Sequence, residues 1–202
     1  MFNIKSKLPK MCHSGGAKGS DTYFENISLE YGVKVSAYSY KTDYHNSVNK
    51  VEISEEDYLE GVDKIKIANK TLKRPNISKH MNLLSRNWSQ VKYSDQIFAI
   101  GSIINPGQLD KKGRLSKSNS QIVSGGTGYA VQMGIDNKKE VYVFEQDLKS
   151  WYKWCYTQDK FIKKSDSIKI TKENFAGIGT REINEYGISA IKNLFIETFL
   201  KA

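Results

Sequence analysis

Two cysteines, Cys12 and Cys155, supply all the thiol chemistry of this 202-residue sequence. Two thiols cannot close a metal cage, and nothing suggests a disulfide framework. The three histidines, His13, His45 and His80, share no ligand spacing, so no metal site is expected. No apolar run approaches the ~18 residues of a membrane-spanning helix. The opening stretch, MFNIKSKLPK, lacks the apolar core of a signal peptide. Acidic residues are also in short supply. Against 31 Lys and Arg stand 22 Asp and Glu, a net charge of +9. These shortages predict a soluble, cytoplasmic protein with no membrane partner. The positive balance favours an anionic partner, whether nucleotide, nucleic acid or acidic surface, although a well-charged exterior gives the same count. The lysines are scattered and form no long basic tail. The length suffices for one substantial core and is marginal for two. With no linker or internal repeat visible, residues 1–202 read as a single domain.

Glycine, by contrast, comes in clusters. Ser14-Gly15-Gly16-Ala17-Lys18-Gly19-Ser20-Asp21 lies near the start, Ser124-Gly125-Gly126-Thr127-Gly128 in the middle, and Ala176-Gly177-Ile178-Gly179-Thr180-Arg181-Glu182 near the end. Each follows a run suited to a strand and precedes one suited to a helix. Met11-Cys12-His13 leads into the first cluster. Thr22-x-x-Glu25 then reads as a capping box, Phe24, Ile27 and Tyr31 form a helical stripe, and residues 33–38 alternate like a strand. Gln96 to Gly101 is an apolar run suited to a buried strand, and residues 125–133 open another helix, followed by a strand at Val141 to Phe144. Phe175 to Gly179 leads into a helix with Ile183, Tyr186, Ala190, Ile191, Leu194 and Phe195 on one face. Helix followed by strand at short spacing implies a mainly parallel sheet. Leu59, Val62, Ile65, Ala68 and Leu72 recur at helical spacing over 55–73, as do Met81, Leu84, Trp88 and Val91 over 78–92; both stripes read as core faces. Residues 104–120 are polar around a Pro-Gly turn and read as a mobile loop or insertion. Residues 151–172, aromatic and then basic, predict a hairpin over the site.

In an α/β sheet this pattern places three anion-cradling turns on one edge. Amides at a helix N-terminus are unpaired and the dipole adds about half a positive charge there. Glycine lets a phosphate approach them closely. Ser14, Ser20, Ser124, Thr127 and Thr180 offer hydroxyls; Lys18 and Arg181 offer charge, Lys18 from the rim. Asp21 either caps its helix or accepts from a ribose hydroxyl. Arg86 and Arg181 are candidates for phosphate pairing, since guanidinium matches phosphate bidentately. Tyr129 and Trp88 either stack on a base or pack in the core.

Gly15-Gly16-Ala17-x-Gly19-Ser20-Asp21 resembles the GGAxGAD signature of the YpsA branch of the SLOG superfamily, a Rossmann-like group that includes the DprA and LOG proteins. Phe175 to Glu182 resembles the segment that begins an ordinary member, yet here it comes last. That order is similar to the circularly permuted YpsA family, sometimes labelled molybdenum-cofactor carriers. Arg86-Asn87-Trp88, the run from Ser94 to Gly101, and Gly125 to Met133 also resemble it. The match covers most of the chain and is poor at 40–75 and 104–120. It implies an α/β, Rossmann-like, doubly wound sheet flanked by helices, with ligand where the glycine turns meet: Gly15, Gly16, Ser20, Asp21, Gly101, Gly125, Gly126, Thr127, Gly128, Gly177, Gly179, Thr180 and Arg181.

LOG-type members cleave a nucleotide N-glycosidic bond with a glutamate in a GGxGTxxE motif. Here Gln132 takes the glutamate's place and Tyr129 the threonine's. An amide cannot serve as general base, though it can hydrogen-bond a ribose or base edge. The departure favours binding over cleavage, while Asp21, Asp95 or Glu182 could supply a carboxylate. The leading expectation is therefore non-hydrolytic binding or sequestration of a phosphorylated, nucleotide-type molecule, with no cofactor required. A phage-encoded sponge for an NAD-derived or cyclic-nucleotide immune signal is one version, by family analogy. The alternatives are a nucleotide N-glycosidase, with Asp21 and Glu182 catalytic, and DprA-like single-stranded DNA binding, which the aromatics and lysines of 151–164 would serve. The pterin phosphate of a molybdenum cofactor would suit the same turns. Related proteins self-associate, so a homodimer or tetramer is expected.

Overall fold

The structure, a computed structural model, describes residues 9–45 and 47–200. In chain order the elements are β1 (Met11–Ser14), α1 (Ser20–Glu30), β2 (Lys34–Ser39), β3 (Lys50–Glu52), α2 (Glu55–Leu72), a 3-10 turn (Ile77–His80), α3 (Met81–Lys92), β4 (Gln96–Gly101), β5 (Ile103–Ile104), β6 (Ile122–Val123), α4 (Thr127–Asp136), β7 (Glu140–Glu145), β8 (Ser150–Cys155), β9 (Lys160–Lys163), β10 (Asn174–Gly179) and α5 (Glu185–Phe199). Eight strands form one sheet in the order β3-β2-β1-β10-β4-β7-β8-β9. All pairings from β3 to β7 are parallel, and β8 and β9 add an antiparallel edge. This is the mainly parallel, Rossmann-like sheet that the alternating pattern implied.

Side-chain alternation splits the core in two. Ile97, Ala99, Val141, Val143, Ala176 and Ile178 face α2, α3 and α4. Phe98, Ile100, Tyr142, Phe144 and Phe175 face α1 and α5, where Phe24, Ile191, Leu194 and Phe195 meet them. Strands buried on both faces read as continuous apolar runs, which is why QIFAIG was so plain in the sequence. Each fully buried Phe contributes about 2–3 kcal/mol of transfer free energy. Gly177 lies within β10, and a Cβ there would stand 2.4 Å from the Phe24 ring. Its role is close approach of α1 to the sheet, where a phosphate-binding turn was expected.

The connections decide where a ligand can go. From β1 the chain runs through α1 to β2, toward one side of the sheet. From β4 it runs through α4 to β7, toward the other side and over the opposite face. Strand order reverses between β1 and β4, and such a switch point opens a crevice at the carboxyl ends of the strands. β10 fills the gap between them, with Cys12 and Gln96 both opposite Phe175 and with Ile100 opposite Gly179.

Several local expectations need correcting. The capping box at Thr22 and Glu25 is absent. The helix starts earlier, at Ser20; Thr22 Oγ1 donates to the Ala17 carbonyl, and Glu25 turns inward to other partners. Leu59 is exposed and leaves the α2 stripe to Ile65, Ala68 and Leu72. The 151–172 region does form a hairpin, but β8 and β9 extend the sheet edge beside β7, and no part of them roofs the glycine turns. Trp154 and Phe161 pack on each other at 4.9 Å within the core. Residues 104–120 leave and return through the antiparallel pair β5–β6, with a bridge between Leu109 and Leu115.

Candidate functional site

The first and last glycine clusters meet at the carboxyl edge of the sheet. Because β1 and β10 are parallel neighbours, Ser14 and Gly179 end on the same edge. The Gly179 amide donates to Asp21 Oδ1 at 2.9 Å, and the Ala17 amide to Asp21 Oδ2 at 3.4 Å. The Ser20 hydroxyl and amide both donate to the Thr180 carbonyl, at 2.8 and 3.1 Å. Gly19, with φ +104°, lies so close to Arg181 that a Cβ would stand 2.5 Å from its carbonyl oxygen. The N-terminus of α1 is thus covered by the chain leaving β10. Of the amides expected to hold phosphate, those of Ala17 and Gly179 hold the Asp21 carboxylate instead, and the Ser20 hydroxyl is equally engaged.

Beneath this junction lies a group of buried charges. Arg86, from α3, donates through Nη1 to the carbonyls of Gly15 and Tyr38, so it ties the ends of β1 and β2. Its Nε is buried without a hydrogen-bond partner among the described residues. Burial lowers the pKa of Arg86, with Asp21 the largest opposing charge. The Asp21 carboxyl is pushed up to about 6 by burial, against the Arg86 charge and its two amide hydrogen bonds. Glu25, one turn along α1, accepts Ser14 Oγ at 2.7 Å and Ser47 Oγ at 2.6 Å. The Ser14 hydroxyl also receives the Gly16 amide, so it too is committed within the protein. His45 Nε2 lies 3.1 Å from the Gly15 carbonyl and brings the chain after β2 over Gly16. Sequence reasoning missed Glu25, His45 and Ser47. Glu25 was readable only as a cap, and nothing local announces that His45 and Ser47 lie against 14–16.

The middle cluster differs in being open. Gly125 adopts φ +67° and Gly126 is right-handed helical at φ −61°. Successive residues of opposite hand turn their amides to one side, a concave arrangement that receives anions. α4 has no side-chain cap, and no hydrogen bond engages the amides of Gly125, Gly126 or Thr127 among the described residues. The carbonyls are pinned on the inner side, Val123 and Gly125 by Arg74 and Gly126 by Asn87. Gly125 and Gly126 are exposed. Gly101 ends β4 against Val123, beside the end of β10. Asn87 and Arg86 are consecutive on α3, so one helix reaches both the open cluster and the first.

The remaining candidates divide. Lys18 and Arg181 are exposed on the rim, and Arg181 is near enough to Arg86 to depress its pKa. Glu182 is exposed, its carbonyl held by Gln146. Gly128 packs under the Val123 carbonyl. Tyr129 and Gln132 turn away from the junction. The Tyr129 hydroxyl donates to Asn69 on α2 at 2.8 Å, and Gln132 lines a separate recess. Neither adjoins the amides of 125–127 as the motif implied, because helical spacing carries them to the α2 side. Trp88 donates to Glu60 at 2.7 Å and is core. Asp95 precedes β4, at the opposite edge of the sheet. Among the described residues no cluster of three His, Cys, Asp or Glu side chains could hold a metal ion, and no helix is long and apolar enough to cross a membrane. Compared with known proteins, the chain matches no family model, no curated sequence and no solved structure.

Proposed function

We propose that the protein binds a phosphorylated, nucleotide-type small molecule at the carboxyl edge of its sheet and holds it without cleaving it. The observation that carries this reading is the unfilled amide concavity at Gly125, Gly126 and Thr127, set at the topological switch point. A phosphate there receives up to three amide hydrogen bonds and the dipole of α4. Arg181 and Lys18 supply rim charge for further phosphates. The resemblance of the glycine clusters to the permuted YpsA order supports the same ligand class, and sequestration of a nucleotide-derived signal is its most concrete form.

Calorimetry with adenosine mono- and diphosphate, cyclic mononucleotides and cyclic ADP-ribose isomers tests it, with adenosine as control. Binding is expected only where a phosphate is present. Uniform failure to bind at millimolar ligand overturns the proposal.

A further inference from the structure

A recess of about 400 Å³ lies away from the glycine edge, between α2, α4 and the β8–β9 hairpin. That volume is within the range of small-molecule sites. Ile135 gives it an apolar wall and Tyr156 an aromatic one, while Gln132, Asp136 and Asp159 bring oxygens. Gln132 and Asp136 stand one turn apart on α4. Gln132 Nε2 donates to Asp136 Oδ1 at 2.8 Å, which fixes the orientation of the amide. No hydrogen bond reaches Gln132 Oε1 or Asp136 Oδ2 among the described residues. An amide oxygen and a carboxylate oxygen are therefore both left as acceptors on one wall.

Two further features point to a guest. Trp154, 4% exposed, also lines the recess, and its indole N–H is buried without a partner among the described residues. A buried donor left unpaired is costly, so each instance asks for a missing acceptor. The Tyr156 ring already receives an ammonium: Lys138 Nζ lies 4.7 Å from its centroid. The Tyr156 hydroxyl donates to the Lys139 carbonyl at 2.6 Å, which holds the ring in place as a wall. Among the residues lining the recess, Lys138 is the one cation, set against Asp136 and Asp159. An anionic guest would meet two carboxylates. A cationic one meets two free acceptors on the Gln132–Asp136 wall.

We propose that this recess binds a small organic cation that also carries a hydroxyl or carbonyl oxygen, with Asp136 as counter-ion to its ammonium or guanidinium and the oxygen as the acceptor that the Trp154 indole lacks. Gln132 orients that carboxylate and offers a second acceptor. The proposal is independent of the phosphate site, since it draws on no residue of the glycine edge. Burial raises the pKa of Asp136, with Gln132, Lys64 and Lys138 opposing, so a bound cation is expected to steady its charged form.

Tyramine, phenethylamine and the anion 4-hydroxyphenylpropionate form the test, titrated into the full-length protein. Affinity is read by calorimetry and the site by the tryptophan indole signals in a ¹H–¹⁵N spectrum. Tyramine is expected to bind at least about tenfold more tightly than the anion, because like-charge contact is costly, and more tightly than phenethylamine, which lacks the oxygen, and to shift one indole signal. Asp136→Asn is expected to weaken amine binding by about tenfold. Should that variant fail to fold, Asp159→Asn, on an exposed turn, is the second: a loss of about threefold or more is expected for a charge at the recess mouth. Amines that bind no better than the anion, or binding that moves no indole signal, would overturn the proposal, as would undiminished binding in a folded Asp136→Asn.

Discussion

The Asp21 carboxylate accepts the Gly179 amide at 2.9 Å across 158 residues of sequence. One side chain near the start of the chain thus fastens the end of the strand formed near its finish. It is also the largest opposing charge on the buried Arg86. Asp21→Ala removes the acceptor of two amides and leaves that guanidinium uncompensated. A loss of about 3–5 kcal/mol is expected, the usual cost of breaking a buried charge arrangement. Urea unfolding measures it, and a loss under about 1 kcal/mol would refute the role.

Acid stability follows from two buried groups with opposite signs. The folded state raises the Asp21 carboxyl from 3.8 to about 6. Its stabilisation is complete below the unfolded pKa and is lost as pH rises through about 6. Burial lowers His13 from 6.5 to about 4. Its stabilisation is complete above the unfolded value and is lost as pH falls through about 4. Between about pH 4 and 6 the two slopes oppose each other. Asp21→Asn is expected to leave stability rising with pH over that window by about 3 kcal/mol relative to wild type. Chemical denaturation at several pH values reads this difference, and an unchanged slope would count against the buried carboxyl.

Gly126→Asp separates binding from folding. A carboxylate at the N-terminus of α4 is favoured by the helix dipole by about 0.3–1 kcal/mol, and a Cβ at 126 meets nothing nearer than Leu84 at 3.8 Å. The melting temperature is expected to hold or rise. Phosphate-dependent binding is expected to fall by about tenfold or more, since the new charge repels the ligand. Undiminished affinity would move the anion site elsewhere.

Gly177→Ala tests the approach of α1. The added methyl drives into the Phe24 ring, and overpacking of this kind costs about 1–3 kcal/mol. Thermal unfolding should register the loss without any change in ligand contacts, since Gly177 is fully inside the sheet.

Much of the fold was legible because burial on both faces leaves the central strands apolar and each is followed by an amphipathic helix. Gln96 to Gly101 and Phe175 to Gly179 are such cases. The meeting of the first and last clusters was legible through order alone. Which amides would be free was not. The same Gly-Gly-x-x pattern is filled by Asp21 in one cluster and open at Gly125 in another, and the difference depends on residues 158 or more positions away. Leu59 and the capping box failed for a related reason. Periodicity reports which residues share a face, while neighbours in space decide whether that face is covered. The direction of Gln132 was equally hidden, since a motif fixes spacing but not the neighbour against which a helix turns.

β10 is translated after the two strands it separates. Until it emerges from the ribosome, β1 and β4 have no common partner, and each presents an unpaired edge of the kind that invites mispairing. The order of synthesis therefore leaves both edges open until the last strand is added. The amide concavity of residues 125–127, by contrast, draws only on residues already made, so a truncated chain ending before Asn174 would carry it on a sheet with no middle.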